Sequence, residues 1–241
     1  MSYFLPERNA LFLHIPRTGG TWVGHSIDVA GIPIQNWGRV CEMYRPRKHT
    51  ILSHYRPDLL SKVKWIFSFV RRPCEYYVTN WRFTTRSVVT RPEKMKNTVF
   101  NGKNSAAINE AVNRWKPNFD EWLDEMLEEE PAWVTRWFER FVGPHRGEFC
   151  HFIGRTETLR EDMNKVMKIL DYEEEWKKAS ASIDEINHAK NQIRRDKAPR
   201  IELTGNQRVR IERSERVMLR RFFGRDTLNK RVYRNLEGEP V

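Results

Sequence analysis

The feature that most constrains this chain is a threefold alternation of short apolar runs with polar loops and helical patterns. The apolar runs cover residues 10–15, Trp65–Val70 and residues 149–154. The helical patterns that follow them cover residues 21–30, residues 75–86 and the segment that begins near Thr158. Short apolar runs of this kind are typical of buried parallel strands. Strands that alternate with helices predict an α/β fold with a central, mostly parallel sheet flanked by helices.

The amount of apolar material is sufficient for a folded domain. Hydrophobic residues make up 39% of the 241 residues, so the chain can bury a core although 31% of its residues are charged. A domain usually takes about 100–200 residues. We therefore expect a single domain over residues 1–241, with the strands and polar loops in residues 10–170 and a helical part in residues 171–235.

The net charge of the chain is +11, from 43 Lys and Arg against 32 Asp and Glu. A positive charge of this size favours an anionic partner. Nucleic acid, a small molecule that bears phosphate or sulfate, and an acidic surface all satisfy this condition. A basic surface without any anionic partner is the remaining alternative, so the charge alone does not identify a function.

The cysteines and the N-terminus bear on the compartment. Cys41, Cys74 and Cys150 are widely spaced and odd in number, which is typical neither of a disulfide framework nor of a Cys-x-x-Cys metal or redox site. The N-terminal residues lack a signal-peptide pattern, and no window approaches the roughly 18 apolar residues of a membrane span. We therefore expect a cytoplasmic protein without a membrane span, or a Golgi-lumen protein only if the sequence is a trimmed catalytic domain.

Further helical patterns lie outside the three units. Asn118 is a candidate N-cap, and Trp133–Val142 forms an amphipathic pattern after the helix breaker Pro131. Residues 91–116 are rich in Asn and Lys and are predicted to be an irregular insertion that could act as a lid.

Two finer predictions concern helix geometry. The spacing of Thr158 and Glu161 fits a capping box at the start of the third helix. Residues 206–223 have a helical pattern in which four side chains are predicted to be buried: Val209, Val217, Leu219 and Phe222.

The loop after the first apolar run has the composition of an anion-binding site. It contains Arg17, Thr18, Gly19 and Gly20, and Thr21 follows at the expected start of the helix. Free backbone N–H groups and the positive end of the helix dipole converge at such a position, and glycines let the chain wrap closely around an anion. The loop does not match the NTPase pattern GxxxxGK followed by Ser or Thr, which disfavours ordinary ATP or GTP hydrolysis. A glycine turn without a ligand is the alternative for this loop taken alone.

The second apolar run leads to another arginine and another hydroxyl. Arg71 follows the run directly, and Thr79 lies within the first turns of the next helical pattern. An arginine and a hydroxyl suit a second phosphate group, whereas an ion pair between Arg71 and surface carboxylates is the alternative. Together the two loops predict a ligand with two separate anionic groups.

The segments FLHIPRTGGTW, FSFVRRPCEYYVTNW and FIGRTETLREDMNKVMKIL occur in this order within about two-thirds of the chain. The first resembles the loop that binds the 5′-phosphosulfate in the sulfotransferases that use 3′-phosphoadenosine 5′-phosphosulfate (PAPS). The second resembles the segment that binds the 3′-phosphate in the same family. The third resembles a later segment of the carbohydrate-type members, such as the heparan sulfate 2-O-sulfotransferases. The resemblance implies a P-loop-like three-layer fold, PAPS as donor cosubstrate, no metal, and transfer of the sulfuryl group to an acceptor hydroxyl, with carbohydrates among the candidate acceptors.

The resemblance also implies roles for individual residues. Those that would surround the 5′-phosphosulfate are Arg17, Thr18, Gly19, Gly20, Thr21 and Trp22. Arg71 and Thr79 would bind the 3′-phosphate. The chain departs from the usual family pattern at three positions, with Arg17 in place of lysine, Arg72 in place of aspartate and Thr79 in place of serine. Because arginine is a planar fork rather than a compact ammonium, we expect Arg17 to change the rate more than ligand binding.

Catalysis would require alignment of an in-line attack, stabilisation of charge on the leaving oxygen and a base for the acceptor hydroxyl. Arg17 and the loop amides are candidates for the second task. His54 is our first candidate for the base, because several carbohydrate sulfotransferases similarly carry a histidine near the acceptor, and His49 is the second. A structural role for His54 is the alternative. No zinc site is expected, because the spacing of His49 and His54 is not a standard ligand pattern.

Two other functions remain open at this point. A nucleic-acid-binding protein would use the net charge and the arginines of residues 206–223, but the chain has no helix-turn-helix, zinc-finger or RNP pattern. A divergent nucleotide-phosphate kinase would depend on magnesium and ATP turnover. Because no nucleic-acid-binding pattern is present, we expect no nucleic acid as partner. The expected partner is a small-molecule or glycan acceptor.

Overall fold

The three predicted strand–loop–helix units are present in the computed structural model, which describes residues 2–37, 51–90, 115–145, 147–183 and 200–224. The strands in these residues form a five-stranded sheet in the order β3-β1-β2-β4-β5. Their bounds are Tyr3–Leu5 for β1, Ala10–Phe12 for β2, Gln35–Asn36 for β3, Trp65–Val70 for β4 and Phe152–Arg155 for β5.

The sheet is mixed rather than mostly parallel. β4 is parallel to both β2 and β5, whereas β1 is antiparallel to both β2 and β3. The parallel part therefore consists of the three strands that the sequence predicted. Because parallel strands end on the same side, the loops that follow β2, β4 and β5 meet at one edge of the sheet, which we call the carboxyl edge.

Helices cover both faces of the sheet. Their bounds are Gly20–Val29 for α1, Pro57–Leu60 for α2, Pro73–Thr90 for α3, Phe119–Glu129 for α4, Trp133–Val142 for α5, Leu159–Ile169 for α6, residues 173–183 for α7, Gly205–Ser214 for α8 and Arg216–Met218 for α9, which continues as a π-helical turn over Leu219–Phe223.

Two apolar clusters separate the layers. On one face, Val23 of α1 and Met163 of α6 pack with Phe67 of β4. On the other face, Tyr77 of α3 and Phe138 of α5 belong to a second cluster together with the C-terminal helices. This arrangement is the predicted α/β fold, with the sheet between two helical layers.

The helix-start predictions had different outcomes. The Asn118 side chain accepts a hydrogen bond from Asp120 N at 2.8 Å, which confirms the predicted N-cap. The prediction of a capping box formed by Thr158 and Glu161 is wrong. Thr158 instead donates its hydroxyl to Asp162 Oδ2 at 2.8 Å, and the same carboxylate accepts from the backbone N–H of Arg155. A buried aspartate, rather than a reciprocal cap, therefore orders the start of α6.

The helical pattern over residues 206–223 is interrupted at Glu215. This residue has φ −100° and ψ 21° and ends α8. The predicted burial of Val209 and Val217 is wrong, because these side chains are 55% and 37% exposed. Phe222 is buried as predicted. The buried side chains of the segment keep one helical stripe across the break, at spacings of four, three and four residues, and this stripe includes a glutamate: Ile211, Glu215, Met218 and Phe222.

Glu215 itself is fully buried and binds the start of α5. Its Oε1 accepts hydrogen bonds from the Tyr77 hydroxyl and from Val134 N, both at 2.9 Å. Its Oε2 accepts from Thr135 N at 2.9 Å and from the Thr135 hydroxyl at 2.7 Å. The first N–H groups of a helix have no partner within the helix and favour negative charge. The carboxylate therefore joins α3, α5 and the C-terminal helices.

Buried ionisable groups on α3 predict a loss of stability at alkaline pH. Burial raises the pKa of the Cys74 thiol to about 11, and burial also raises the pKa values of Tyr76 and Tyr77. A free thiol has a pKa of about 8.5 and a free tyrosine about 10. Above about pH 8.5 the unfolded chain therefore loses protons before the folded one, which shifts the equilibrium towards unfolding.

We expect the urea midpoint to fall steadily from pH 8.5 to pH 11 in equilibrium unfolding experiments. Cys74→Ala removes one of these groups, so its midpoint should fall less steeply between pH 8.5 and pH 10. A midpoint that is constant or rises over this interval contradicts the prediction.

Most of the predicted insertion, residues 91–114, lies outside the described residues. In the part of the chain that the structure describes, no helix is both long and apolar enough to cross a membrane.

Candidate functional site

The glycine loop connects β2 to α1 at the carboxyl edge. Thr18 is fully buried, and its hydroxyl donates to the carbonyl oxygen of Ile15 at 2.9 Å. Arg17 has φ +68° and Gly19 has φ +83°, so the backbone passes through the left-handed region twice before α1 begins. The Thr18 side chain therefore shapes the loop, while the exposed Thr21 presents its hydroxyl at the start of the helix.

Close neighbours leave little room for a side chain at either glycine of the loop. A Cβ atom on Gly20 would lie 1.9 Å from Cδ2 of His14, which is itself buried and packed against Phe12. A Cβ atom on Gly19 would lie 2.6 Å from Cδ2 of Leu159, the first residue of α6. The loop after β2 is therefore in direct contact with the unit that follows β5.

Gly19→Ala is expected to destabilise the fold by about 1–3 kcal/mol, because alanine is disfavoured at positive φ and Leu159 must move. Gly31→Ala is a matched control, since Gly31 has φ +70° but a Cβ atom there meets nothing within 4 Å. Urea denaturation of both variants separates the two causes. Equal losses of unfolding free energy would show that the contact with Leu159 contributes nothing.

The Arg17 side chain extends from the loop towards α3. Its guanidinium carbon lies 3.1 Å from the centroid of the Phe83 ring, a cation–π contact. This contact places a permanent positive charge between the glycine loop and the helix that follows β4. Trp22, the third residue of α1, is half-buried. Its ring contacts the ring of Trp176 edge-on, with the ring centroids 6.1 Å apart.

Arg71 and Thr79 are brought together after β4. Arg71 Nη1 donates to Thr79 Oγ1 at 3.0 Å. Burial lowers the pKa of the Arg71 guanidinium, whereas the nearby Glu157 carboxylate acts in the opposite direction. A guanidinium remains charged at neutral pH in proteins. The second predicted cation and hydroxyl therefore lie side by side at the carboxyl edge.

Glu157 is a site residue to which the sequence patterns assigned no role. Its Oε1 accepts a hydrogen bond from the backbone N–H of Arg72 at 2.8 Å, at the start of α3. The Thr156 hydroxyl donates to the carbonyl oxygen of Val70 at 3.0 Å. These contacts tie the loop after β5 to the end of β4. They join residues 85 or more positions apart, so no local pattern indicated them.

Two further arginines share one aromatic ring at this edge. The guanidinium carbons of Arg72 and Arg155 lie 5.5 Å and 5.3 Å from the centroid of the Phe223 ring. Arg17, Arg71, Arg72 and Arg155 thus all belong to loops or strand ends at the carboxyl edge. An anionic ligand is the chemistry that such an edge favours.

Of the two histidines predicted as the base, His54 lies among the described residues. His54 is exposed and lies in the 3₁₀ turn Leu52–His54. The next residue, Tyr55, is buried and packs on Trp37, with ring centroids 6.2 Å apart. Trp37 directly follows β3, so His54 is anchored near the β3 edge of the sheet. His49 lies outside the described residues. Among the residues that are described, no group of His, Cys, Asp and Glu side chains is arranged to hold a metal ion.

Two of the C-terminal arginines form ion pairs with other helices of the fold. Arg210 pairs with Asp124 of α4 at 2.6 Å, and Arg221 pairs with Glu139 of α5. These two charges are thus used within the fold, which weakens the case for a nucleic-acid surface on this segment.

Residues 3–229 match the protein-family model described as "Sulfotransferase family". Neither the curated proteins nor the solved structures gave a match to the chain. The matched residues include all three loops of the carboxyl edge.

Proposed function

The chain belongs to the sulfotransferase family, a family of enzymes that use PAPS as the sulfuryl donor, and we propose that it transfers the sulfuryl group to a hydroxyl of a carbohydrate. Membership supports donor and reaction type directly. The acceptor, the residue roles and the mechanism are our proposal.

In this proposal the glycine loop binds the 5′-phosphosulfate. The backbone N–H groups of Gly19, Gly20 and Thr21 lie at the start of α1, where free donors and the helix dipole favour an anion. Thr18 contributes through its backbone and through its hydrogen bond to Ile15. Trp22, in the first turn of α1, is proposed to line the same site.

Arg71 and Thr79 bind the 3′-phosphate of the donor. Their hydrogen bond of 3.0 Å is the observation that carries the proposal, because it joins the two residues that a second phosphate site requires. Arg71 is held at the carboxyl edge next to the glycine loop, since β2 and β4 are adjacent parallel strands. A donor with two separate anionic groups can therefore span the two loops.

Transfer then proceeds in line. The acceptor oxygen attacks sulfur while the bond from sulfur to the bridging phosphate oxygen breaks, and adenosine 3′,5′-bisphosphate leaves. Arg17 and the loop amides stabilise the negative charge that develops on the leaving oxygen. In this step Arg17 leaves the Phe83 ring, which it contacts in the absence of the donor.

A histidine removes the proton of the acceptor hydroxyl. His54 is our candidate, and two observations support it: the side chain is exposed, and its segment is fixed to the sheet through Tyr55 and Trp37. His49, in the same segment of sequence, is the second candidate. Rate against pH would distinguish a histidine base from a structural one, since a base must be neutral to act.

The first test is calorimetry with adenosine 3′,5′-bisphosphate and AMP at moderate salt. We expect selective binding of the bisphosphate, and we expect Arg71→Ala to weaken it by about 10–100-fold because a charged hydrogen bond is lost. Binding of AMP should change little. Arg56→Ala serves as control, because Arg56 is an exposed arginine paired with Asp58. No preference for the bisphosphate over AMP would contradict the proposed donor site.

A further inference from the structure

A cavity of about 270 Å³ lies between α1 and the β1–β3 side of the sheet. Its lining residues are Tyr3, Thr21, Gly24, His25, Asp28 and Ile34. None of the roles proposed above uses this space, apart from the loop residue Thr21. The cavity volume is slightly below the usual range of ligand pockets, about 300–1,000 Å³, so it suits a small group such as one sugar ring.

The helix side of the cavity follows from spacing along α1. Thr21, His25 and Asp28 are separated by four and three residues, so they lie on one face of the helix. This face extends for about 10 Å from Thr21 to Asp28. The cavity therefore runs from the glycine loop along the helix.

The sheet side of the cavity is formed by Tyr3 of β1. Its ring lies nearly parallel to that of Phe12, with 8° between the ring planes. A Cβ atom on Gly24 would lie 2.3 Å from Cε2 of Tyr3. The absence of a side chain at Gly24 thus allows the tyrosine ring to lie directly against α1 and to form a flat wall of the cavity.

The cavity and the proposed 3′-phosphate site lie on opposite sides of β2. β2 lies between β4 and the β1–β3 side of the sheet. The proposed 3′-phosphate site follows β4, so the adenosine part of the donor extends from the glycine loop towards β4. In-line transfer requires the attacking oxygen to approach sulfur opposite the leaving oxygen. An acceptor on the β1–β3 side would meet this requirement, and Thr21 connects the loop to the cavity on that side.

The lining has the chemistry of a site for an uncharged, hydroxyl-bearing group. Asp28 supplies a carboxylate that accepts hydrogen bonds, and the Tyr3 ring and Ile34 supply apolar surface. Burial and the Asp28 carboxylate raise the pKa of Tyr3, so its hydroxyl stays protonated and can donate. A carboxylate in the wall repels an anionic ligand, which disfavours both the donor phosphates and an acidic sugar.

We propose that this cavity binds the acceptor as a neutral sugar ring, with Asp28 accepting hydrogen bonds from its hydroxyls and Tyr3 packing against its apolar face. The inference rests on the proposed function, because the direction of approach depends on where the donor binds. It specifies the substrate class: an uncharged sugar unit rather than a uronic acid or a sulfated sugar.

The test uses the full chain saturated with adenosine 3′,5′-bisphosphate. Saturation-transfer NMR measures binding of three neutral disaccharides, maltose, lactose and trehalose, and of the anionic monosaccharide glucuronate. We expect at least one neutral disaccharide to bind and glucuronate to bind more weakly. Asp28→Ala should weaken the neutral sugar by about tenfold or more, because charged hydrogen bonds are lost. Tyr3→Phe keeps the ring and should weaken it only severalfold.

Glu174→Ala is the matched control, because Glu174 is an exposed acidic residue of α7 that does not line the cavity. This variant is expected to bind the sugar as the original protein does. Binding of the bisphosphate, measured by calorimetry in each variant, separates the two proposals. If the bisphosphate binds but no disaccharide does, or if Asp28→Ala leaves sugar binding unchanged, the cavity proposal is overturned and the donor site stands. Tighter binding of glucuronate than of every neutral sugar also overturns it. If the bisphosphate itself fails to bind, the proposed function falls and the cavity proposal falls with it.

Discussion

Arg17→Ala is expected to lower the turnover number of sulfuryl transfer by about 10²–10³-fold, the loss typical when one preorganised group that stabilises transition-state charge is removed. The donor affinity should fall less, because the loop amides remain at the start of α1. Initial rates with labelled PAPS and the fastest acceptor from a screen of sugars and phenols provide the measurement.

Arg17→Lys is the matched variant, because it keeps the charge but loses the planar fork. Its turnover number should lie within about tenfold of the original. Arg17 also contacts the Phe83 ring, so Arg17→Ala removes packing as well as charge. Phe83→Leu removes the same packing and keeps the charge, and its turnover number should stay well above that of Arg17→Ala. If Arg17→Ala retains more than a tenth of the original rate, Arg17 does not stabilise the leaving oxygen.

Glu215→Gln is expected to lower the free energy of unfolding by about 3 kcal/mol, a large part of the stability of an ordinary domain. Both carboxylate oxygens accept two hydrogen bonds from buried donors. An amide nitrogen cannot accept, so one pair of donors loses its partner, and the negative charge at the start of α5 is lost as well. Chemical denaturation at neutral pH measures the effect.

Two controls calibrate this result. Glu212→Gln changes an exposed glutamate on the preceding turn of α8 and should alter stability by less than about 0.5 kcal/mol. Tyr77→Phe removes a single donor to Glu215 and should cost about 1 kcal/mol. If Glu215→Gln proved as stable as Glu212→Gln, the hydrogen bonds of Glu215 would make no net contribution to the fold.

The parts of the fold that sequence patterns predicted are those with local signals. β4 has six residues and was predicted with its observed bounds, and α5 was predicted with both of its ends. β1 and β3 have only three and two residues, too few for a periodic pattern to be recognised. Their antiparallel pairing is why the sheet is mixed, and no local feature indicated it.

In the candidate site, too, local sequence patterns predicted some residues and missed those that depend on distant partners. The glycine loop and the pair Arg71 and Thr79 follow predicted strands, so their common edge could be inferred from topology alone. The role of Glu157 depends on a backbone N–H 85 residues away. Glu215 depends on a tyrosine 138 residues away. The residues next to Glu215 in sequence do not indicate a partner so far away. The prediction therefore did not place Glu215 on the buried face of residues 206–223.

The position of Glu215 has a consequence for synthesis on the ribosome. Chains grow at about 5–20 residues per second, so roughly 7–28 s pass between the addition of Tyr77 and that of its acceptor 138 residues later. During this interval α5 lacks the carboxylate that binds its first turn, and the apolar side chains of α3 and α5 lack the C-terminal helices that cover them. The nascent chain therefore exposes an incomplete core until Glu215 and the helices around it have been made. We expect it to recruit general chaperones at this stage.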